Sequence, residues 1–260
     1  MNEERKPVAE LISEMYDQHA DLYATSAEKG FSWRYIERPA MYRYLKDIVE
    51  PTSRVLDLGT GTGRVIQLLK DLGVNEENIT GLDISEELIK IARLKFPRVT
   101  FLHASADNFS LPPESFDLVT ANMVFQYLDN DMLKRAMDTI YDVLKLDGQL
   151  VFIEPHGLRS EQVRKGVNNN QWIREQTPWG QKVYVFNRNP WDLLDIHDFC
   201  GFLHVDGWRT LPVDEAGRVE QVEFERYSAM RYARMGYVWK KMSEERKRLM
   251  NEYAQHTLRV

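Results

Sequence analysis

From position 54 onward, short apolar runs alternate with stretches whose apolar residues recur at helical spacing. RVLDLG (54–59) predicts a first strand, and Val65–Leu72 predicts the helix behind it. NITGLD (78–83) predicts a second strand. Ser85 follows as a helix cap, with Glu86 and Glu87 in the first turn, where the helix dipole favours negative charge. VTFLH (99–103) and FDLVTAN (116–122) predict the third and fourth strands. Between 131 and 144, Met132, Leu133, Ala136, Met137, Ile140, Val143 and Leu144 share one helical face. Asp147–Gly148 then turn the chain into QLVFIE (149–154), a fifth strand stopped by Pro155. Strands alternating with helices of this length imply right-handed crossovers and a mostly parallel sheet.

The flanks read differently. Val8, Leu11, Ile12 and Met15 predict a helix, as do Met41, Leu45, Ile48 and Val49. Between them ATSAEKGFSW (24–33) reads as a polar, glycine-containing loop ending in aromatics. Residues 157–182 are polar, with three asparagines at 168–170 and two tryptophans, Trp172 and Trp179. VYVFN (183–187) resumes the apolar pattern. A helix near 190–200, a strand near 202–208, another near 219–225 and a helical tail are expected after it. With no repeat and no linker, residues 1–260 read as a single domain: a helical cap (1–50), a core (51–155) and a further segment (156–260).

Composition narrows the class. The 260 residues are 43% hydrophobic and 28% charged, as in folded proteins, with a net charge of −6. That charge argues against sequence-independent nucleic-acid binding, which needs a basic surface. Arg226, Arg231, Arg234, Lys240, Lys241, Arg246, Lys247 and Arg248 depart from it and read as a solvated helix face. The single cysteine, Cys200, forms no internal disulfide, which suits a reducing compartment. MNEERKPVAE has no apolar signal core, and no stretch approaches membrane-spanning length. A cytoplasmic protein without membrane or nucleic-acid partners is expected. No histidine or carboxylate cluster has metal-ligand spacing, so no metal is expected.

The chemistry concentrates in RVLDLGTGTGR (54–64). Asp57 ends a strand, Gly59, Gly61 and Gly63 follow at alternate positions, and a helix begins. This geometry lays a nucleotide-bearing cofactor across the first crossover of an α/β sheet. A dinucleotide fingerprint needs its third glycine where Arg64 stands, and a P-loop needs a Gly-Lys-Ser/Thr that is absent. An acid two places before the first glycine would repel a pyrophosphate and suits a ligand with an ammonium group. S-adenosylmethionine (SAM) is such a ligand. Asp83, at the end of the second strand, is spaced to accept ribose hydroxyls, a feature shared with NAD enzymes.

VLDLGTGTG, GLDIS, FDLVTANMVFQYL and LKLDGQLVFIE, in order over 54–154, resemble the successive motifs of class I SAM-dependent methyltransferases, the small-molecule kind grouped as types 11 and 25. The resemblance implies a Rossmann-like, doubly wound, seven-stranded, mostly parallel α/β sheet. Its last strand is antiparallel, with a helical cap before it and a helical tail after it. It implies SAM as cofactor and S-adenosylhomocysteine (SAH) as product. In the glycine turn, Asp57, Gly59 and Gly61, with Thr60 and Gly63, face the methionine part. Asp83 binds the ribose, Ile84 packs on the adenine, and Ala121 lies beside the sulfonium. Many relatives carry an Asp before Ala after the third strand, whereas this chain reads Ser105–Ala106–Asp107. Either the Ser105 hydroxyl meets the adenine amine or Asp107 takes that place. Leu146–Asp147–Gly148 replaces the usual Pro-Gly-Gly. Tyr16 and Tyr23 in YDQHADLY resemble a cover over the cofactor. Phe31, Trp33, Tyr35, Trp172 and Trp179 either extend that rim or pack between cap and core.

Methyl transfer is an in-line displacement, so alignment and water exclusion dominate. A base is needed only for a protonated nucleophile. His156, two residues past Glu154, reads either as that base or as a loop histidine bonded to backbone. Gln126 and Tyr127 read as acceptor-orienting or as core residues. Asp129–Asn130–Asp131 reads as a helix N-cap. The expected function is methyl transfer to an O or N nucleophile of a small, aromatic or hydrophobic acceptor, by a monomer or homodimer. The alternatives are a non-methylating use of SAM and a catalytically silent SAM-binding subunit.

Overall fold

Seven strands make one sheet in the computed structural model. Across the molecule they run β3 (Thr100–His103), β2 (Ile79–Asp83), β1 (Val55–Leu58), β4 (Phe116–Asn122), β5 (Leu144–Pro155), β9 (Arg234–Lys241) and β8 (Phe202–Arg209). The structure describes residues 6–155, 170–177, 179–188, 200, 202–209, 234–243, 245 and 248. Pairing is parallel from β3 to β5, and β9 runs antiparallel to both of its neighbours. The chain leaves β1 toward β2 and β3, then returns to the other side of β1 for β4 and β5. The strand order reverses between β1 and β4, and the carboxyl ends of those strands open the crevice where such sheets bind ligands.

The strands are buried on both faces and their side chains alternate between two cores. Leu56, Leu58, Val119, Ala121, Leu150 and Phe152 pack toward α6 (Asn130–Val143), with its Leu133, Ala136, Met137 and Ile140. Val55, Leu118, Val151 and Ile153 face the other way. They meet α3 (Arg38–Leu45), α4 (Arg64–Asp71) and α5 (Glu86–Lys95) through Met41, Leu45, Ile66, Leu69 and Ile89. The expected caps are in place: Ser85 Oγ accepts from the Leu88 N–H at 3.2 Å, and Asp129 Oδ1 from the Met132 N–H at 2.9 Å.

Three expectations need correction. The antiparallel strand β9 forms from 234–241, inside the segment read as a helical tail. RMGYVWKK alternates faces: Val238 enters one core and Trp239 the other. Lys241 is therefore not on a solvated helix face. It is buried, donates to the Leu144 carbonyl at 2.8 Å and lies 4.6 Å from the Tyr141 ring centre. The expected loop at 24–33 is largely helical. After α1 (Val8–Gln18), α2 (Ala20–Ala27) runs into it, and the Thr25 and Ser26 hydroxyls bond back to carbonyls one turn earlier. A π-helical turn (Trp33–Glu37) then leads into α3. The polar stretch 157–182 contains β6 (Gln171–Gln176), paired antiparallel with β7 (Lys182–Asn187) as a separate hairpin. Val183 and Val185 of that hairpin pack on Ile12 of α1. The strand expected near 219–225 lies outside the described residues, as does the helix near 190–200 apart from the buried Cys200.

Among the described residues no helix is long and apolar enough to cross a membrane, and no group of three or more His, Cys, Asp or Glu is placed to hold a metal.

Candidate active site

Past Leu58 the chain turns through Gly59, Gly61 and Gly63 at φ of +61°, +54° and +86°. These are left-handed conformations that only glycine adopts without strain. The turn is also crowded. A Cβ on Gly59 would stand 2.4 Å from Val124 Cγ2, and one on Gly63 would stand 2.3 Å from the Phe96 ring. The Gly61 N–H donates to Asp83 Oδ2 at 2.7 Å, and the Ser85 N–H donates to Asp83 Oδ1 at 2.9 Å. Asp83 is buried. Desolvation raises its pKa, opposed by the N–H groups of Ser85, Gly61 and Ile84.

A cavity of about 930 Å³ opens over this turn. Its floor is Gly59, Gly61, Asp83, Ile84, Ser105, Ala106 and Asn122, and its roof is Tyr16, Tyr23 and Trp179. Its far wall is Ile12, Val183, Val185, Leu128 and Met132, with Gln126 and Tyr127 at the edge. Ten of the expected cofactor and acceptor residues thus meet at one cavity: Gly59, Gly61, Asp83, Ile84, Ser105, Ala106, Gln126, Tyr127, Tyr16 and Tyr23; of the rim aromatics, Phe31, Trp33 and Trp179 line it too.

Five others are not among its lining residues. Asp57 is buried with Oδ1 accepting from the Thr120 hydroxyl at 2.7 Å and Oδ2 without a hydrogen bond; burial pushes its carboxyl up to about 7. Thr60 pins the turn to β2 through its N–H, which donates to the Leu82 carbonyl at 2.9 Å. Gly63 abuts Phe96 as the left-handed N-cap of α4. Ala121 is wholly buried in the sheet core. Asp107 accepts from the Ser105 hydroxyl and, at 2.6 Å, from Arg135, so of the Ser105/Asp107 pair it is Ser105 that reaches the cavity. His156 lies outside the described residues.

The roof is aromatic. Tyr16 and Tyr127 share a hydrogen bond between their hydroxyls at 2.7 Å. Tyr16 also meets the rings of Tyr23 and Trp179 at 5.6 and 5.9 Å. Burial holds the Tyr16 hydroxyl well above its ordinary pKa, so it stays protonated. Three bonds lash α1 to the floor. Ser13 Oγ donates to the Ile84 carbonyl at 3.0 Å, Ser85 Oγ donates to Asp17 at 2.6 Å, and the Glu87 N–H donates to Asp17 at 3.2 Å.

Sequence reasoning missed Arg64, Glu37, Asn122, Arg188, Glu154 and Met123 as site residues. Arg64 lines the cavity beside Glu37, at 3.7 Å, and lies 4.8 Å from the Trp33 ring centre. It donates to the Tyr23 hydroxyl at 3.1 Å and to the Ala27 carbonyl at 3.3 Å. Burial works against its charge, but Tyr23 and Glu37 hold its pKa up. Glu37 in turn accepts from the Ser32 hydroxyl at 2.6 Å and from the Asn122 amide at 3.0 Å. The signal for Arg64 was its position: a cation at the first residue of a helix opposes the macrodipole, so it needs another reason to be there. Arg188 donates to the carbonyls of Phe125, Leu128 and Asp129 and to Asn130 Oδ1. It thereby holds the short 3₁₀ turn that carries Gln126 and Tyr127. Glu154 secures the same turn by accepting from the Phe125 N–H at 2.8 Å. Just before it, Met123 lines the cavity at φ +63°, a strained conformation of the kind that clusters at functional sites.

Residues 55–148 match the family model described as a methyltransferase domain. The ubiquinone/menaquinone biosynthesis C-methyltransferase UbiE of Campylobacter jejuni (strain 81-176) is 29% identical over 156 residues. That match covers 56% of this chain and 63% of the relative, so the chain spans less than two thirds of that protein's length. Among solved structures, a putative SAM-dependent methyltransferase from Listeria monocytogenes superposes with a TM-score of 0.60 at 17% identity, covering 79% of this chain and 99% of its own. The [4+2]-cyclase SpnF superposes with a TM-score of 0.61 at 19% identity, covering 91% and 97%. At these identities the structural likeness is one of fold.

Proposed function

We propose that this chain is a class I SAM-dependent methyltransferase, as its methyltransferase-domain match and fold support, and that it transfers a methyl group from SAM to a small, largely apolar acceptor held between α1 and the β6–β7 hairpin. The observation that carries this is one continuous cavity. Its floor is the glycine turn with Asp83, and its far wall is apolar: Ile12, Val183, Val185, Leu128 and Met132.

When bound, the cofactor supplies an electrophilic methyl on a sulfonium with a neutral thioether as leaving group. The chain's residues do the rest. Asp83, fixed by two backbone N–H groups, accepts the ribose hydroxyls; Ile84 and Ala106 pack on the adenine. The Ser105 O–H donates to Asp107, so its oxygen is left to accept from the adenine amine. Gly59 and Gly61 allow close approach of the backbone. One layer below, Asp57, Thr60 and Gly63 hold the turn in shape, and Ala121 supports the strand end. The rings of Tyr16, Tyr23 and Trp179 exclude water and present their negative faces to the sulfonium. Gln126 and Tyr127 orient the acceptor, and His156 is the base for an acceptor that arrives protonated. An O or N acceptor is our reading; UbiE, a C-methyltransferase, makes carbon the competing case.

The test is calorimetry with SAH, followed by incubation with methyl-labelled SAM and a panel of phenols, quinols and amines read by mass spectrometry. SAH binding with label transferred to one acceptor class is expected. Failure to bind SAM or SAH would overturn the assignment. Binding with an altered but unlabelled product would instead favour a non-methylating use of the site.

A further inference from the structure

The ribose and adenine contacts leave one end of the cavity unused. Along the floor, Ser105 and Ala106 lead through Ile84 to Asp83, and Asp83 accepts from the Gly61 N–H. A Cβ on Gly61 would stand 3.2 Å from the Tyr23 hydroxyl, and that hydroxyl accepts from Arg64. Arg64, bonded to Tyr23, and its neighbours Glu37 and Asn122 line the same cavity. A ligand with its ribose at Asp83 and its base at Ile84 therefore extends its third part toward these side chains.

Their chemistry is mismatched as it stands. The Arg64 and Glu37 side chains are only 14% and 4% exposed, yet their charged atoms are 3.7 Å apart, too far for the short paired hydrogen bonds of a closed Arg–carboxylate fork. Buried ion pairs of this kind are weak stabilisers of a fold. Among the described residues, Arg64 directs hydrogen bonds to Tyr23 and Ala27 alone, which leaves N–H donors of its planar group for a ligand. Asn122 is 8% exposed and lines the cavity. Its amide N–H₂ is given to Glu37, and its Oδ1 is buried without a hydrogen-bond partner among the described residues. The N-terminus of α4, where Arg64 sits, adds a field that favours an anion. Spare cationic donors, a carboxylate and an unpartnered carbonyl oxygen at one cavity end complement a zwitterion.

We propose that Arg64, Glu37 and Asn122 form the receptor for the amino-acid end of the cofactor. Arg64 takes the α-carboxylate, and Glu37 with Asn122 Oδ1 takes the α-ammonium. The acid facing the ammonium is then Glu37 of the cap, not Asp57 of the glycine motif. The receptor is split between cap and core, so the amino-acid end draws the two together. This rests on the SAM reading of the site.

The test compares SAH with 5′-methylthioadenosine, which keeps the adenine, ribose and sulfur but lacks the amino-acid end. Both are titrated calorimetrically into the full chain and into R64M, E37Q and N122A. Wild type is expected to prefer SAH by about 100-fold, and R64M is expected to erase most of that preference by weakening SAH alone. E37Q and N122A should each narrow it by about tenfold. Methylthioadenosine binding in a variant reports that its cofactor floor is folded. If R64M binds neither ligand, E37Q and N122A decide the question by the same ratio. An undiminished preference for SAH in the variants that still bind methylthioadenosine overturns the receptor and leaves the SAM reading standing. A wild type that binds neither ligand overturns both.

Discussion

The floor and the roof of the cavity are built on different principles. The floor is main chain: three left-handed glycines, the Gly61 and Ser85 N–H groups on Asp83, and the ends of β1, β2 and β4. The roof and walls are side chain: the rings of Tyr16, Tyr23 and Trp179 above, the valines of β7 at the far wall, and the guanidinium of Arg188 bracing the turn beside them. A floor made of backbone has few tolerated variants, because each atom is placed by the sheet. A roof made of side chains can be altered piece by piece. Damage to the floor should therefore be abrupt, and damage to the roof graded.

The harshest test is Gly63→Val. It places a Cβ 2.3 Å from Phe96 at φ +86°, and a β-branched residue cannot relax there. A loss of about 4 kcal/mol or more in denaturant unfolding is expected; a loss near that of an ordinary surface change would break the distinction. Next is Asp57→Asn. The Asp57 carboxyl sits at about 7 in the fold against 3.8 ordinarily, so the native state holds the proton more tightly than the unfolded chain. Its contribution is complete below about pH 4 and is lost as pH rises through 7. The variant should flatten that decline and unfold later than wild type at pH 8, by up to about 4 kcal/mol. A wild-type stability that does not fall between pH 4 and 7 relative to the variant would contradict the burial argument.

Asp83→Ala removes the acceptor of two N–H groups along with the acid proposed to hold the ribose. SAH affinity should fall about 100-fold, or about 2.7 kcal/mol, in calorimetry. On the roof, Arg188→Lys cannot reproduce a fork that serves three carbonyls. Amide exchange in 125–130 should quicken by about tenfold while SAH affinity changes by less than about threefold. Equal damage to both would show that floor and roof are one unit. Tyr16→Phe removes one hydroxyl of a pair and should change stability by about 1 kcal/mol, with SAH binding retained.

The same contrast explains what the sequence revealed. The core from β1 to β5 was legible because parallel strands buried on both faces are short apolar runs, and because Ser85, Asp129 and the glycines mark turns by their own chemistry. The hairpin was harder: QWIREQ buries little, so its alternation carries few apolar residues. RMGYVWKK hid for the opposite reason, since its lysines look solvated while Lys241 is anchored on a carbonyl. In the site, Gly59, Gly61 and Asp83 were readable from spacing. Glu37, Asn122 and Arg188 were not, because Glu37 and Asn122 meet across 85 residues, Glu37 and Arg64 across 27, and Arg188 and its carbonyls across about 60. Asp57 shows the limit of a motif: spacing marked it as important without revealing that it is buried against the Thr120 hydroxyl, outside the cavity lining.

The lashing of α1 to the floor governs the timing of traffic through the site. Ser13 grips the Ile84 carbonyl and Asp17 grips Ser85, beside the residues assigned to the nucleoside, while Ile12 of the same helix forms the acceptor wall. One rigid element thus bolts two doors. A movement of α1 that lets the acceptor's product leave must also break bonds at the nucleoside end. On the proposed function, departure of product and exchange of spent cofactor are coupled through this one helix.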